Sequence, residues 1–188
     1  MPNLPSPWPQ FLADVDQSLS EPVELHCVGG FVLTAVYAIP RETSDLDYIS
    51  VIPQQALNEL ERIAGADSDL RKKHKVWVHV ASGVADYPED YESRLTTLPL
   101  GLKKLTLRVF EPYDLLLAKL TRNNPKDMQD VRALVQKLNL KFDVLVGRFQ
   151  AEMSWVANRS RHEQTLNVVW KDYFDSTQQN TLRPQASS

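Results

Sequence analysis

The sequence predicts a mixed α/β (α+β) fold in which helices flank a mixed β-sheet and a helical part follows at the C-terminal end. Short apolar runs of strand length, at Val23–Val28, Asp45–Ile52 and 76–80, alternate with segments of helical spacing. The pair Gly29-Gly30 sits between the first run and the apolar stretch 31–39, the punctuation expected where a strand turns into a helix. Beyond Tyr113 the periodicity is helical.

Residues 8–15, after a Pro-rich lead, have the spacing of a short amphipathic helix, and Val23–Val28 reads as the first strand. Gly29-Gly30 open a buried helix over 31–39, and Asp45–Ile52 forms the next strand. Pro53 suits the first turn of a helix that runs to residue 64, with Leu57, Leu60 and Ile63 on its packed face. In a third strand, 76–80, Val76, Val78 and Val80 face one way and Trp77 and His79 the other, so a helix is expected over one side of the sheet. A charged loop spans 86–99 and a fourth strand 102–109. Two helices, 113–120 and 126–138, are divided by Asn123-Asn124-Pro125, and from Phe142 the chain is helical to about Asp175. Lys119 and Arg122 share a helix face, as do Asp127 and Asp130, so two charged faces meet across the Asn-Pro turn. The expected organisation is a domain over 1–138, a helical extension packed on it over 139–177, and a flexible tail over 178–188.

A chain of 188 residues is long enough for one domain with a real core. Its 43% apolar and 24% charged content is ordinary for a globular protein, and a net charge of -3 excludes a globally basic nucleic-acid coat. Local basic patches remain at 71–75, at Lys103-Lys104 with Arg108, and at Lys119, Arg122 and Lys126. A solvated face is the plainer reading for most of them, with phosphate binding favoured at Lys119. The single Cys27 excludes an internal disulfide and a Cys-rich zinc cluster, belongs in the core, and suits a reducing cytoplasm, the expected location. The first residues lack the regions of a signal peptide and no apolar run reaches membrane-spanning length, so no membrane partner is expected. Zinc-peptidase, serine-hydrolase and P-loop motifs are missing, and His26, His74, His79 and His162 show no ligand spacing. Trp155 and Trp170, with Arg159, Arg161 and Lys171 nearby, mark either an RNA-facing surface or, the better-supported reading, a packed helical seam.

The informative chemistry lies at Asp45-Leu46-Asp47. Residues two apart on a strand project from one face, so both carboxylates point the same way, about 7 Å apart along the chain. Two unpaired acids would repel, whereas Mg²⁺ (or Mn²⁺) converts the repulsion into coordination, which makes Asp45 and Asp47 candidate metal ligands. Gly29 and Gly30 allow close backbone approach and present N–H groups to an anion. Together these features point to a metal-bound nucleoside triphosphate.

Val28-Gly29-Gly30, a helix, and then Asp45-Leu46-Asp47 on a strand resemble the DNA polymerase β-like nucleotidyltransferase superfamily, whose signature is Gly-Gly or Gly-Ser, a helix, and a strand with Asp-x-Asp or Asp-x-Glu. Arg41-Glu42-Thr43-Ser44 resembles the form found in AbiEii-type bacterial toxins and their small relatives. Tyr113-Asp114-Leu115, Lys119, Arg122, Lys126-Asp127 and Asp130-Val131 resemble the family's helical segment, so the likeness covers roughly residues 23 to 135. It implies transfer of a nucleotide from a nucleoside triphosphate onto RNA, tRNA among the acceptors, or onto protein. A toxin or phage-defence role, with a cognate antitoxin as partner, is part of the implication.

The same resemblance assigns residues. Asp45 and Asp47 hold the cations, Gly29 and Gly30 the β- and γ-phosphates, Lys119 contacts phosphates and steadies the leaving group, Arg122 binds the nucleotide, and Asp127 helps arrange the catalytic site. Arg41 either pairs with the triphosphate or neutralises the acids, and Thr43 either donates to a phosphate or caps the turn. One departure stands out: active members often carry a third acid on a later strand, where this chain has His79. Assigning that acid to Asp86 or Glu24 is forced, and His79 is open to two readings, a base or a structural hydrogen-bonder. The alternative is therefore a catalytically inactive member that binds nucleotide, RNA or a partner protein.

Overall fold

The computed structural model describes residues 4–81, 83 and 86–175. Its contacts gather into two units, one comprising the chain up to Val84 with Glu92–Glu111, the other Ala85–Tyr91 with the chain from Pro112.

The first unit is built on five strands, β1 (Val23–Val28), β2 (Asp45–Ile52), β3 (Trp77–Val80), β4 (Thr96–Thr97) and β5 (Leu105–Val109), in the order β3-β2-β1-β5-β4. The sheet is mixed, as expected: β1 runs antiparallel to β2 and parallel to β5, β2 parallel to β3, and β4 antiparallel to β5. Around it lie α1 (Trp8–Ser18), α2 (Gly29–Ala35), α3 (Leu57–Ala64), α4 (Asp69–His74) and a short α5 (Tyr91–Arg94). Leu25, Cys27, Leu46, Tyr48, Val51, Leu107 and Val109 fill the core with Phe11, Leu12 and Val15 of α1 and Phe31 of α2. Trp8 meets the Phe31 ring edge-on at 4.7 Å between centroids. Each such side chain removed from water contributes about 1.5–3 kcal/mol, so the sheet face under α1 and α2 is where most of this unit's stability arises.

A β-bulge in β2 decides which side chains reach that core. His26 pairs with Ser50 but Cys27 pairs with Tyr48, which leaves Ile49 as the extra residue. Before the bulge Leu46 and Tyr48 point into the core and Asp45 and Asp47 away from it; after it the parity reverses, Val51 is buried and Ile52 is exposed. A single eight-residue strand thereby delivers three apolar anchors to one face and two acids to the other.

Asp16, at the inner end of α1, fixes the start of β5. Its carboxylate accepts the backbone N–H groups of Lys103, Lys104 and Leu105 at 2.6–3.2 Å. Burial pushes this carboxyl up, and the three donors more than reverse that, holding it below the usual carboxylate range. The same three bonds explain why the strand begins at Leu105 rather than at the expected residue 102.

Other departures have local causes. The expected helix over 31–39 stops at Ala35, where Thr34 donates to the carbonyl of Arg41 and the Tyr37 hydroxyl to that of Phe110, drawing the chain off the helical path. The helix expected from Pro53 begins as a 3₁₀ turn, Gln54–Ala56, before α3. Val80, expected to face inward, is 40% exposed at the end of β3. The basic run 71–75 is largely α4, capped by Ser68, with Lys73 and His74 both on Asp14, whose carboxyl they hold at about 2. Within the predicted loop 86–99 lie α5 and the edge strand β4.

The second unit is helical: α6 (Pro112–Arg122), α7 (Pro125–Leu138), α8 (Phe142–Glu152) and α9 (Arg159–Val169), the last continuing into a π-helical turn, Trp170–Asp175. The helix expected from Phe142 onward is interrupted between Glu152 and Arg159. Asn124 caps α7 by accepting the N–H of Asp127. Asp114 is buried against Arg148 at 2.9 Å, and the Tyr113 hydroxyl accepts the N–H of Lys141, so the Tyr-Asp-Leu segment ties α6 to α8. Trp170 stacks on Phe142, as a helical seam requires, whereas Trp155 is 51% exposed. No helix among the described residues is long and apolar enough to cross a membrane. The expected flexible tail, 178–188, lies outside the described residues.

Replacing Asp16 by Ala strands three N–H groups, one of them buried on Leu105, and is expected to lower the unfolding free energy in urea by about 3 kcal/mol at neutral pH. Because its carboxyl is lowered in the fold, the gap between wild type and Asp16→Ala closes as the pH falls through that lowered value.

Candidate functional site

Asp47 lies at the junction of three strands. Its register partners are Val28 on β1 and His79 on β3, and Asp45 stands two residues earlier on the same face of β2, paired with Trp77. The His79 Nδ1 is 3.0 Å from Asp47 Oδ1, with the His79 side chain 51% exposed and that of Asp47 18%. One donor atom each from Asp45, Asp47 and His79 falls within 4.8 Å of the others. Donors sharing one small divalent ion at about 2.1 Å lie roughly 3–4 Å apart, so the spacing of this cluster is compatible with a shared ion.

The glycine elbow abuts the acids directly. Gly29 has φ +77, and a Cβ placed on it would come within 2.1 Å of Asp47 Oδ2. A Cβ on Gly30 would meet Thr43 Oγ1 at 2.8 Å and Arg41 Nε at 3.2 Å. Only glycine satisfies residue 29, because both the left-handed backbone and the Asp47 carboxylate exclude a side chain. The expected neighbourhood of Gly29, Gly30, Arg41, Thr43, Asp45 and Asp47 is therefore assembled. The Thr43 hydroxyl donates to Asp45 Oδ1 at 2.9 Å, which fixes the carboxylate's orientation. Thr34 bridges the carbonyls of Gly30 and Arg41, fastening the elbow to the loop that carries Arg41 and Thr43.

Beneath the site Cys27 is fully buried. Burial pushes its thiol far up, and the Asp47 charge adds to the shift. Glu24, on the same strand, bonds His26 at 3.1 Å and lies 3.5 Å from Arg108. Asp86 pairs through its backbone with the Thr121 hydroxyl.

The downstream candidates form a buried ion-pair network in the second unit. Lys119, 3% exposed, places Nζ 2.7 Å from Asp130 Oδ2 and 3.4 Å from Asp127 Oδ1. Arg122 grips Asp127 through both Nε and a terminal nitrogen. Burial raises the Asp127 carboxyl, and the Arg122 and Lys119 contacts more than reverse this, leaving it below the usual range. The two charged faces do meet across the Asn-Pro turn, but inside the helical unit rather than on its surface.

His79 is the one member of the acid cluster without a ligand pattern in the sequence. It reaches Asp47 only through the parallel register of β2 and β3, which local spacing does not encode.

A family described as nucleotidyltransferase of unknown function (DUF6036) matches residues 10–178. No curated protein and no solved structure matches the chain.

Gly29→Ala combines left-handed strain with a clash on Asp47 and is expected to cost about 2–4 kcal/mol in urea unfolding. Gly147→Ala on α8, where a Cβ meets nothing within 4 Å, should instead be neutral or stabilise by up to about 1 kcal/mol. In the second unit, Asp127→Ala removes one partner from buried cations and is expected to cost about 3–5 kcal/mol at neutral pH, a penalty that shrinks as acid protonates the wild-type carboxyl.

Proposed function

Since the chain belongs to this family of nucleotidyltransferases, we propose that it moves a nucleotide from a nucleoside triphosphate onto RNA, tRNA among the acceptors, or onto protein. The observation that carries the reading is the packing of Gly29 on Asp47, beside Asp45, on one face of the sheet. In this reaction an acceptor oxygen attacks the α-phosphorus, the bond from that phosphorus to the bridging oxygen breaks, and pyrophosphate leaves with the electron pair.

Asp45 and Asp47 would hold Mg²⁺ or Mn²⁺, which when bound supplies charge neutralisation on the reacting phosphates. Thr43 keeps the Asp45 carboxylate turned toward the cluster. The N–H groups at Gly29 and Gly30 take the β- and γ-phosphates; α2 is seven residues long, so local N–H donors matter more there than a long helix dipole. Arg41, beside Gly30, neutralises the triphosphate. From the resemblance alone come Lys119 as a phosphate contact, Arg122 on the nucleotide and Asp127 as the acid that helps arrange the site; within the second unit Lys119 and Arg122 both pair with Asp127.

The resemblance to AbiEii-type toxins extends the proposal to a cytoplasmic toxin or phage-defence protein held in check by a cognate antitoxin. A second reading, an inactive member that binds nucleotide, RNA or a partner protein, draws on the presence of His79 where a third acid is expected.

The test is incubation with Mg²⁺ or Mn²⁺, each labelled triphosphate, and total cellular RNA or protein. Label transferred by wild type and reduced at least a hundredfold in both Asp45→Ala and Asp47→Ala is the expected outcome. Tight triphosphate binding with no transfer establishes the inactive reading, and transfer that persists in both variants overturns the assignment of the acids.

A further inference from the structure

We propose that His79 is the third protein ligand of the ion held by Asp45 and Asp47, and that the site consequently takes Mn²⁺ in preference to Mg²⁺. The inference rests on the proposed function only for the presence of an ion at the acids.

Backbone register makes the arrangement. The parallel pairing of β2 with β3 sets Asp47 opposite His79 and Leu46 opposite Val78, so the imidazole and the carboxylate stand side by side on the polar face while the two apolar neighbours enter the core. The His79 ring, half exposed on a strand at the edge of the sheet, turns its Nδ1 toward Asp47. Their separation of 3.0 Å is the spacing of adjacent ligands on an octahedral ion at about 2.1 Å, and Asp45 completes a three-donor group within 4.8 Å.

The donor set then decides the metal. Mg²⁺ is hard, keeps its waters and favours oxygen, whereas Mn²⁺ fills a similar octahedral site and accepts an imidazole nitrogen more readily. Two carboxylates alone discriminate little between these ions, so a nitrogen as third ligand tips the balance. This makes His79 a metal-binding residue and not a base for the acceptor.

The experiment uses the full chain and Mn²⁺ itself as probe. Electron-spin-echo spectroscopy of bound Mn²⁺ should show nitrogen modulation in wild type that vanishes in His79→Ala, and competition titrations should show Mn²⁺ binding about tenfold more tightly than Mg²⁺. His79→Asp, at an exposed position, should keep the ion but erase both the nitrogen signal and the preference; circular dichroism confirms that each variant is folded. Bound Mn²⁺ without nitrogen modulation, at a Mn²⁺ to Mg²⁺ ratio unchanged in His79→Asp, overturns the role of His79 and leaves the proposed function standing. No binding of either ion by wild type, with or without ATP, GTP, CTP or UTP, overturns both.

Discussion

The first unit depends on a contact between a backbone and a carboxylate. Asp47 occupies the space that a side chain on residue 29 would need, and Gly29 adopts a backbone that other residues reach only with strain. This contact joins the end of β1 to the middle of β2 and places the first residues of α2 over the acids. Thr34, Thr43 and Arg41 are then arranged around it by hydrogen bonds and packing within a span of some dozen residues. The acid proposed as a ligand also sets the shape of the elbow, so in that reading one side chain serves both the site and the local fold.

Polar groups are positioned by different means in the two units. On the sheet, the bulge at Ile49 separates apolar anchors from acids, leaving Asp45 and Asp47 partly solvated and Leu46 and Tyr48 fully packed. In the helical unit, by contrast, Lys119, Asp127 and Asp130 are withdrawn from water and compensate one another. Buried charges of this kind contribute little net stability over an apolar core of equal volume, but losing one partner is severe. Their arrangement fixes how α6 lies against α7.

Much of this was legible where the cause was local. The two-residue period placed Asp45 and Asp47 on one face, whereas the bulge was hidden, because Tyr48, Ile49, Val51 and Ile52 are all apolar and pairing with β1 decides which of them is buried. The charged faces of α6 and α7 followed from helical spacing, although their burial did not. Features that depend on distant partners were hidden. Asp16 looks like a solvated residue just past the expected helix until residues 103–105 come to it, the early end of α2 depends on Arg41 and Phe110, and His79 joins the acids only because β3 pairs in parallel with β2. The family match along residues 10–178 agrees with the nucleotidyltransferase resemblance, which short local motifs carried.

Cys27 is the chain's one cysteine, wholly enclosed beneath the site and kept as the neutral thiol by its surroundings. A sulfur in that condition is a poor nucleophile toward maleimides, iodoacetamides and peroxide. The folded protein therefore comes with a silent thiol background, and a cysteine engineered onto its surface would be the preferred point of attachment for a fluorophore or spin probe.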